Sequence, residues 1–265
     1  MIALSVNAFA LESLPGTERT HTVGNRQYTV RNSVGYENGR GVSAFTRISC
    51  NTAPSPGDMG VYPLLQNERY LLVLSPGWVY NTGNGKLLSA GSGYYNATSG
   101  TYYSGGTANG MNDITGIMRG LQIYLSPGWT VSSTRSVSAN ASRGINEKGQ
   151  TYGTITAATP EALYPDLVGA VGLDGTEGYV LASELHQTQP KTSEEAAALM
   201  TDPDYIQGRL INLYAADGVT VIGKFRAGGL IGVTVQEDNR TITYEENGTI
   251  VTQYANGTKE TVRWN

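Results

Sequence analysis

The chain has 265 residues, 39% of them hydrophobic and only 15% charged, with 34 glycines and 17 tyrosines. That apolar share sustains a packed core and sets the chain apart from disordered sequences. A formal charge of −4 argues against a nucleic-acid binder, which needs a basic stripe to neutralise phosphates. One cysteine, Cys50, and two histidines, His21 and His186, exclude an intramolecular disulfide framework and a Cys/His zinc site.

Residues 1–10, MIALSVNAFA, are apolar and end in Ala8-Phe9-Ala10, the small-x-small pattern that signal peptidase accepts. They read as the tail of an export signal without its basic start, or else as a buried N-terminal strand. No other stretch approaches the ~18 apolar residues that span a bilayer, so no membrane span is expected.

Residues 11–150 read as strand and turn throughout, spaced as in a β-sandwich. Gln27 to Arg31 and Val42 to Ile48 alternate apolar and polar side chains as half-buried strands do, and Cys50 follows the second as a small hydrophobe. Glu37-Asn38-Gly39 and Asn84-Gly85 are hairpin signals, because asparagine and glycine accept the positive φ of a tight turn. The pentapeptide Leu74-Ser75-Pro76-Gly77-Trp78 returns as Leu125-Ser126-Pro127-Gly128-Trp129. Proline presets φ at the second position of a turn and glycine tolerates the third, so each copy predicts strand, type II turn, strand, with an indole just beyond the reversal. Between the copies, Tyr94-Tyr95 and Tyr102-Tyr103 predict a couple of strands in which each pair splits across two faces. Residues 131–141 alternate small and polar side chains and predict an edge or solvent-facing strand.

Residues 151–227 predict a small α+β unit. Asp174-Gly175 and Asp217-Gly218 mark two hairpins, and one helix is expected over 192–201, with Thr192 as N-cap and Glu195 three residues later. Residues 228–265 predict a β-hairpin meander, with Asn247-Gly248 and Asn256-Gly257 as its turns. It forms either a free ribbon or a docked sheet, with Trp264 as an anchor in the second case.

Several segments of the middle unit carry a resemblance: Asn146 to Gly153, Pro165-Asp166-Leu167, Asp174 to Val180 with Glu184-Leu185, Pro190 to Ala196, and Leu213-Tyr214 with Asp217 to Phe225. In this order, residues 146–225 resemble a module of uncharacterised exported proteins of Gram-positive gut bacteria, similar to segments on the extracytoplasmic side of membrane sensor metallopeptidases. Glu177-Gly178-Tyr179-Val180 followed by Leu185 is also similar to the last strand of bacterial SH3-like cell-wall modules. The resemblance implies a place outside the membrane of a Firmicute and implies no reaction. The chain has no His-Glu-x-x-His motif.

No catalytic signature emerges. Glu194-Glu195, Asp202 with Asp204, and Glu245-Glu246 sit where helix dipoles, caps and hairpin turns use carboxylates, and the serines lack a Gly-x-Ser-x-Gly elbow. No cofactor is expected. Together these features predict a secreted or cell-surface binding or adhesion protein, its ligand a glycan, peptidoglycan or an extracellular protein. The ligand-binding candidates are Trp78, Trp129, Tyr94, Tyr95, Tyr102 and Tyr103, because aromatic faces stack on sugar rings and lose little entropy on ordering. For the two indoles a core role anchoring their turns is the competing expectation, and for the tyrosines cross-strand packing. The alternatives are a hydrolase of extracellular polymers whose carboxylate pair comes from distant loops, and a detached extracytoplasmic sensor module.

Overall fold

A computed structural model describes residues 12–131, 143–155, 159, 161–185 and 189–264. The expected export signal over 1–10, most of the strand over 131–141 and His186 lie outside the described residues. The described chain is mainly β, with a nine-stranded, a ten-stranded and a four-stranded sheet.

Alternation builds the nine-stranded sheet. The strands Arg26–Glu37 and Gly41–Cys50 pair antiparallel around the Asn38-Gly39 turn, where Gly39 takes φ 81° as the hairpin requires. Their register puts Val30 opposite Ile48, Asn32 opposite Thr46 and Val34 opposite Ala44 on one face, all of them fully or almost fully buried. The other face therefore carries Arg31 opposite Arg47, Ser33 opposite Phe45 and Gly35 opposite Ser43. Leu87–Gly91 extends the sheet from the second strand, and Thr234–Glu237, Arg240–Glu245, Thr249–Tyr254 and Lys259–Arg263 follow in that order.

The inner face is covered twice. Near one end the four-stranded sheet supplies Met59, Val61, Val79 and Ala108 to a core shared with Tyr28, Ile48, Leu88, Val235 and Tyr244. Near the other, Leu65, Val73, Tyr102 and Val171 of the ten-stranded sheet pack on Val34, Val42 and Ala44. A third core, centred on Leu72, Val168, Val180, Leu213 and Phe225, belongs to the ten-stranded sheet. The architecture is thus sandwich-like, driven by apolar stripes that strands can bury only against another layer.

Of the units expected over 11–150, 151–227 and 228–265, the first holds the four-stranded sheet entirely, whereas the ten-stranded and nine-stranded sheets each draw strands from more than one unit. Leu167–Val171 pairs in parallel with Leu72–Leu74, and Thr234–Glu237 pairs with Leu87–Gly91, so backbone bonding crosses both expected boundaries. The meander docks as a continuation of the nine-stranded sheet, and Trp264 packs half-buried on its core.

The expected helix forms, and two shorter α-helices join it among the described residues. Thr192 caps Ser193–Leu199 by accepting from the Glu195 backbone N–H at 3.2 Å, and Glu195 reaches back to the Lys191 N–H at 2.7 Å. Asp202 then caps a second helix, Pro203–Gln207, in which Pro203 occupies the first turn rather than simply ending the preceding helix. A short helix over Ala182–Leu185 completes the set. No described helix is long and apolar enough to cross a membrane.

The repeated pentapeptides depart from expectation. Neither Gly77 nor Gly128 has positive φ, and neither segment makes a type II turn. Both copies are connections whose backbone groups pair with distant segments: Gly77 N–H donates to Gly229 O at 2.8 Å, and Ser126 N–H to Ser104 O at 3.1 Å. The glycines are needed for close approach instead. A Cβ on Gly77 would lie 3.0 Å from the Tyr205 hydroxyl oxygen, and one on Gly128 would lie 2.8 Å from Cε1 of Tyr103. Asn84-Gly85 likewise joins Val79–Tyr80 to Leu87–Gly91, which lie in different sheets, so it is a crossover rather than a hairpin.

Candidate binding site

Three separate environments receive the six aromatic candidates. Trp78 is 9% exposed, stacks with Tyr62 at 5.5 Å and with Tyr80 at 6.1 Å, and its carbonyl accepts from the Tyr205 hydroxyl at 2.8 Å. It is a core residue whose remaining edge lines a groove with Met118 and Pro190. Trp129 and Tyr102 face each other across neighbouring strands and join Tyr36 and Tyr95 in a second aromatic cluster. Trp129 lies parallel to Tyr36 at 6.2 Å, and the Tyr102 ring sits 5.8 Å from Tyr95. Burial foremost, with the neighbouring Tyr95 and Glu68, pushes the Tyr102 hydroxyl up to about 12. These rings serve the packing between sheets.

Tyr103 alternates to the opposite face of its strand, where it stacks at 5.9 Å on Tyr70, a 37% exposed residue held at φ 59°. Tyr94 and Tyr95 do not share a strand with Tyr102. They lie in the connection after Gly91, where only Tyr95 bridges to Val42. Tyr94 alone reaches the outer face of the nine-stranded sheet. Its ring carries the Arg40 guanidinium at 3.9 Å, and burial, assisted by a hydrogen bond with Glu37, raises its hydroxyl well above the usual phenol range.

That outer face is concave and holds a trough of about 300 Å³. Small residues make its floor: Ser43, Ser89, Gly91, Gly93 and Gly232 leave room where larger side chains would fill it. Phe45 lies over Gly91, where a Cβ would come within 3.1 Å of its ring. The cross-strand registers set out a polar row along the trough, from Arg31 through Arg47 and Ser89 to Gln236 and Thr241. Phe45, Leu87 and Tyr94 supply apolar surface beside it. A half-open, mixed surface of this size suits a hydroxyl-rich ligand that offers both ring faces and hydrogen-bonding edges.

Apart from Tyr94, sequence reasoning missed every residue of the trough. The available signal was the odd-numbered face of the strand Gly41–Cys50, where half-buried Phe45 and Arg47 alternate with fully buried Ala44, Thr46 and Ile48.

The acid pairs have structural duties. Glu195 and Asp202 cap helices, and Glu245 accepts from Asn247 Nδ2 at 3.1 Å in its hairpin turn. His21 Nε2 is bonded to the Gln122 carbonyl at 2.8 Å, and Cys50 is buried at the end of its strand. Among the described residues no group of three His, Cys, Asp or Glu side chains is placed to hold a metal ion.

No family model, curated protein or solved structure matches the chain.

Proposed function

We propose that the chain is a secreted or cell-surface binding protein that holds a polysaccharide in the trough on the outer face of the nine-stranded sheet, without transforming it. One observation carries this reading: a sheet face with its back to the core is left open, hollowed by serines and glycines, and edged by Phe45, Tyr94 and a row of hydrogen-bonding side chains. An outer sheet face with no ligand is free to carry bulky side chains, whereas sugar recognition needs aromatic surface beside precisely aimed polar groups. The low charge and tyrosine-rich composition, and the resemblance of residues 146–225 to exported proteins, support a place outside the cell.

The test is retention of the full chain on insoluble peptidoglycan and on plant and host polysaccharides, beside a Phe45→Ala/Tyr94→Ala variant and a Trp129→Ala variant. The reading expects at least one polymer to retain the parent and Trp129→Ala proteins and to release the trough variant. Retention by no polymer, or equal retention of the trough variant, sinks it. Release of soluble sugar in the same tubes would replace it with a hydrolase.

A further inference from the structure

The trough contains a pairing that folding alone does not explain. Arg31 and Arg47 stand directly opposite each other on neighbouring strands, on the same open face. Like charges in that position destabilise a sheet. Arg31 has one carboxylate, Glu18, whose oxygen lies 3.2 Å from its Nη1, but that carboxylate is 55% exposed and so offsets little. Arg31 Nε is buried with no hydrogen-bond partner. Arg47 makes no ion pair and no side-chain hydrogen bond among the described residues, although its side chain is half-buried. Two guanidiniums with unused donors therefore converge beside Ser89 and Phe45 in a protein whose formal charge is −4. The positive spot is local and runs against the charge of the whole chain, so general attraction for anions does not account for it.

We infer that Arg31 and Arg47 form an oxyanion subsite that takes the carboxylate of an acidic sugar, making the trough a receptor for uronate-bearing rather than neutral polysaccharide. The inference rests on the binding role proposed for the trough and narrows its ligand. A planar guanidinium fork matches a carboxylate with two parallel charge-assisted hydrogen bonds, and two forks side by side hold one such group or bridge two. Ser33, Ser89 and Gln236 are placed for neighbouring sugar hydroxyls, and the Phe45 ring for a sugar face. Sulfate esters present the same oxyanion chemistry, and a sulfated polymer separates the two sources.

The experiment measures binding of the full chain to polygalacturonate, to the same polymer after methyl esterification, to dextran and to dextran sulfate, at low and high salt. The variants are Arg47→Gln, Arg47→Lys and, as a surface control, Lys259→Gln. The parent is expected to bind polygalacturonate about tenfold or more tighter than its ester, one well-made charged contact corresponding to about that factor. Arg47→Gln is expected to erase the difference without lowering the melting temperature, because it relieves the repulsion with Arg31. Arg47→Lys keeps the charge but loses the fork, and is expected to recover only part of the discrimination. Equal binding of the acid and its ester, or discrimination that survives Arg47→Gln, overturns the subsite and leaves polymer binding in the trough standing. Tight binding of dextran sulfate alone assigns the subsite to sulfate and overturns the carboxylate. Binding of none of the four polymers overturns the subsite, and the polymer-binding reading falls only if the insoluble panel also fails to retain the chain.

Discussion

Asn32 ties the three sheets together, and replacing it tests that account of the fold. It is fully buried on the inner face of the strand Arg26–Glu37, next to Arg31. Its Nδ2 donates to Gly106 O at 2.9 Å and Tyr124 O at 3.1 Å, and its Oδ1 accepts from the Thr46 hydroxyl at 2.8 Å. Gly106 lies where the ten-stranded sheet hands over to the four-stranded one, between Gly100–Ser104 and Thr107–Asn112. Asn32→Ala removes three hydrogen bonds at ~1 kcal/mol each and leaves buried oxygens without donors, so a loss of about 3 kcal/mol is expected. Thr46→Val removes only one of those bonds, and about 1 kcal/mol is expected from it. Because the two residues share that bond, the double variant should lose about 1 kcal/mol less than the sum of the singles. Urea unfolding followed by tyrosine fluorescence and circular dichroism measures all three, with unchanged denaturant slopes as the check on two-state behaviour. An Asn32→Ala loss well under ~1 kcal/mol, or strict additivity, would refute the idea that this side chain joins the layers.

Trp78→Ala should cost ~3–5 kcal/mol, the usual loss for a large buried aromatic, because its ring is buried and stacks with Tyr62 and Tyr80. Half-buried Trp129→Ala should cost about half of that, and neither variant, where it remains folded, should lose polymer retention. Thermal unfolding checks the first statement, and release of polymer by Trp129→Ala would move the site to the buried aromatic cluster. Asp217 gives the pH prediction. The Thr220 hydroxyl at 2.6 Å foremost, with the backbone N–H groups of Thr220 and Val219 at 2.9 Å, lowers its carboxyl to about 2. A depressed folded value means that the turn is supported above about pH 4 and loses that support as pH falls toward 2. Carbon-detected NMR titration should find Asp217 protonating well below ordinary aspartates, and Thr220→Val should return it toward ~3.9.

The hairpins were legible because their chemistry is local. Asn38-Gly39, Asp174-Gly175, Asp217-Gly218 and Asn247-Gly248 all turn where expected, each with its glycine at positive φ, since the requirement for that conformation is met within two residues. The Thr192 cap was legible for the same reason. Ser-Pro-Gly-Trp failed because two physical demands select the same residue. Glycine satisfies a type II turn, but it also lets side chains lie on the backbone, the Tyr205 ring at Gly77 and Thr101 with the Tyr103 ring at Gly128. Only tertiary structure says which side chains arrive.

The trough shows the same limit from the other side. Alternation in Gly41–Cys50 already places Phe45 and Arg47 on one face and Ala44, Thr46 and Ile48 on the other, so these two trough residues could be assigned from sequence to the face opposite the core. Sequence marks the Asn38-Gly39 turn but not the length of its loop: the residues between the paired Glu37 and Gly41 set Arg31 against Arg47, and a two-residue slip to Ser49 would move no apolar side chain to the wrong face. Hydrophobic burial fixes which face points inward; the hairpin turn fixes the offset. A charge clash that survives both constraints is the kind of local inconsistency that marks function rather than folding. For that reason the arginine pair, which no aromatic pattern anticipated, outweighs the repeated tryptophans as the place to test the proposed binding.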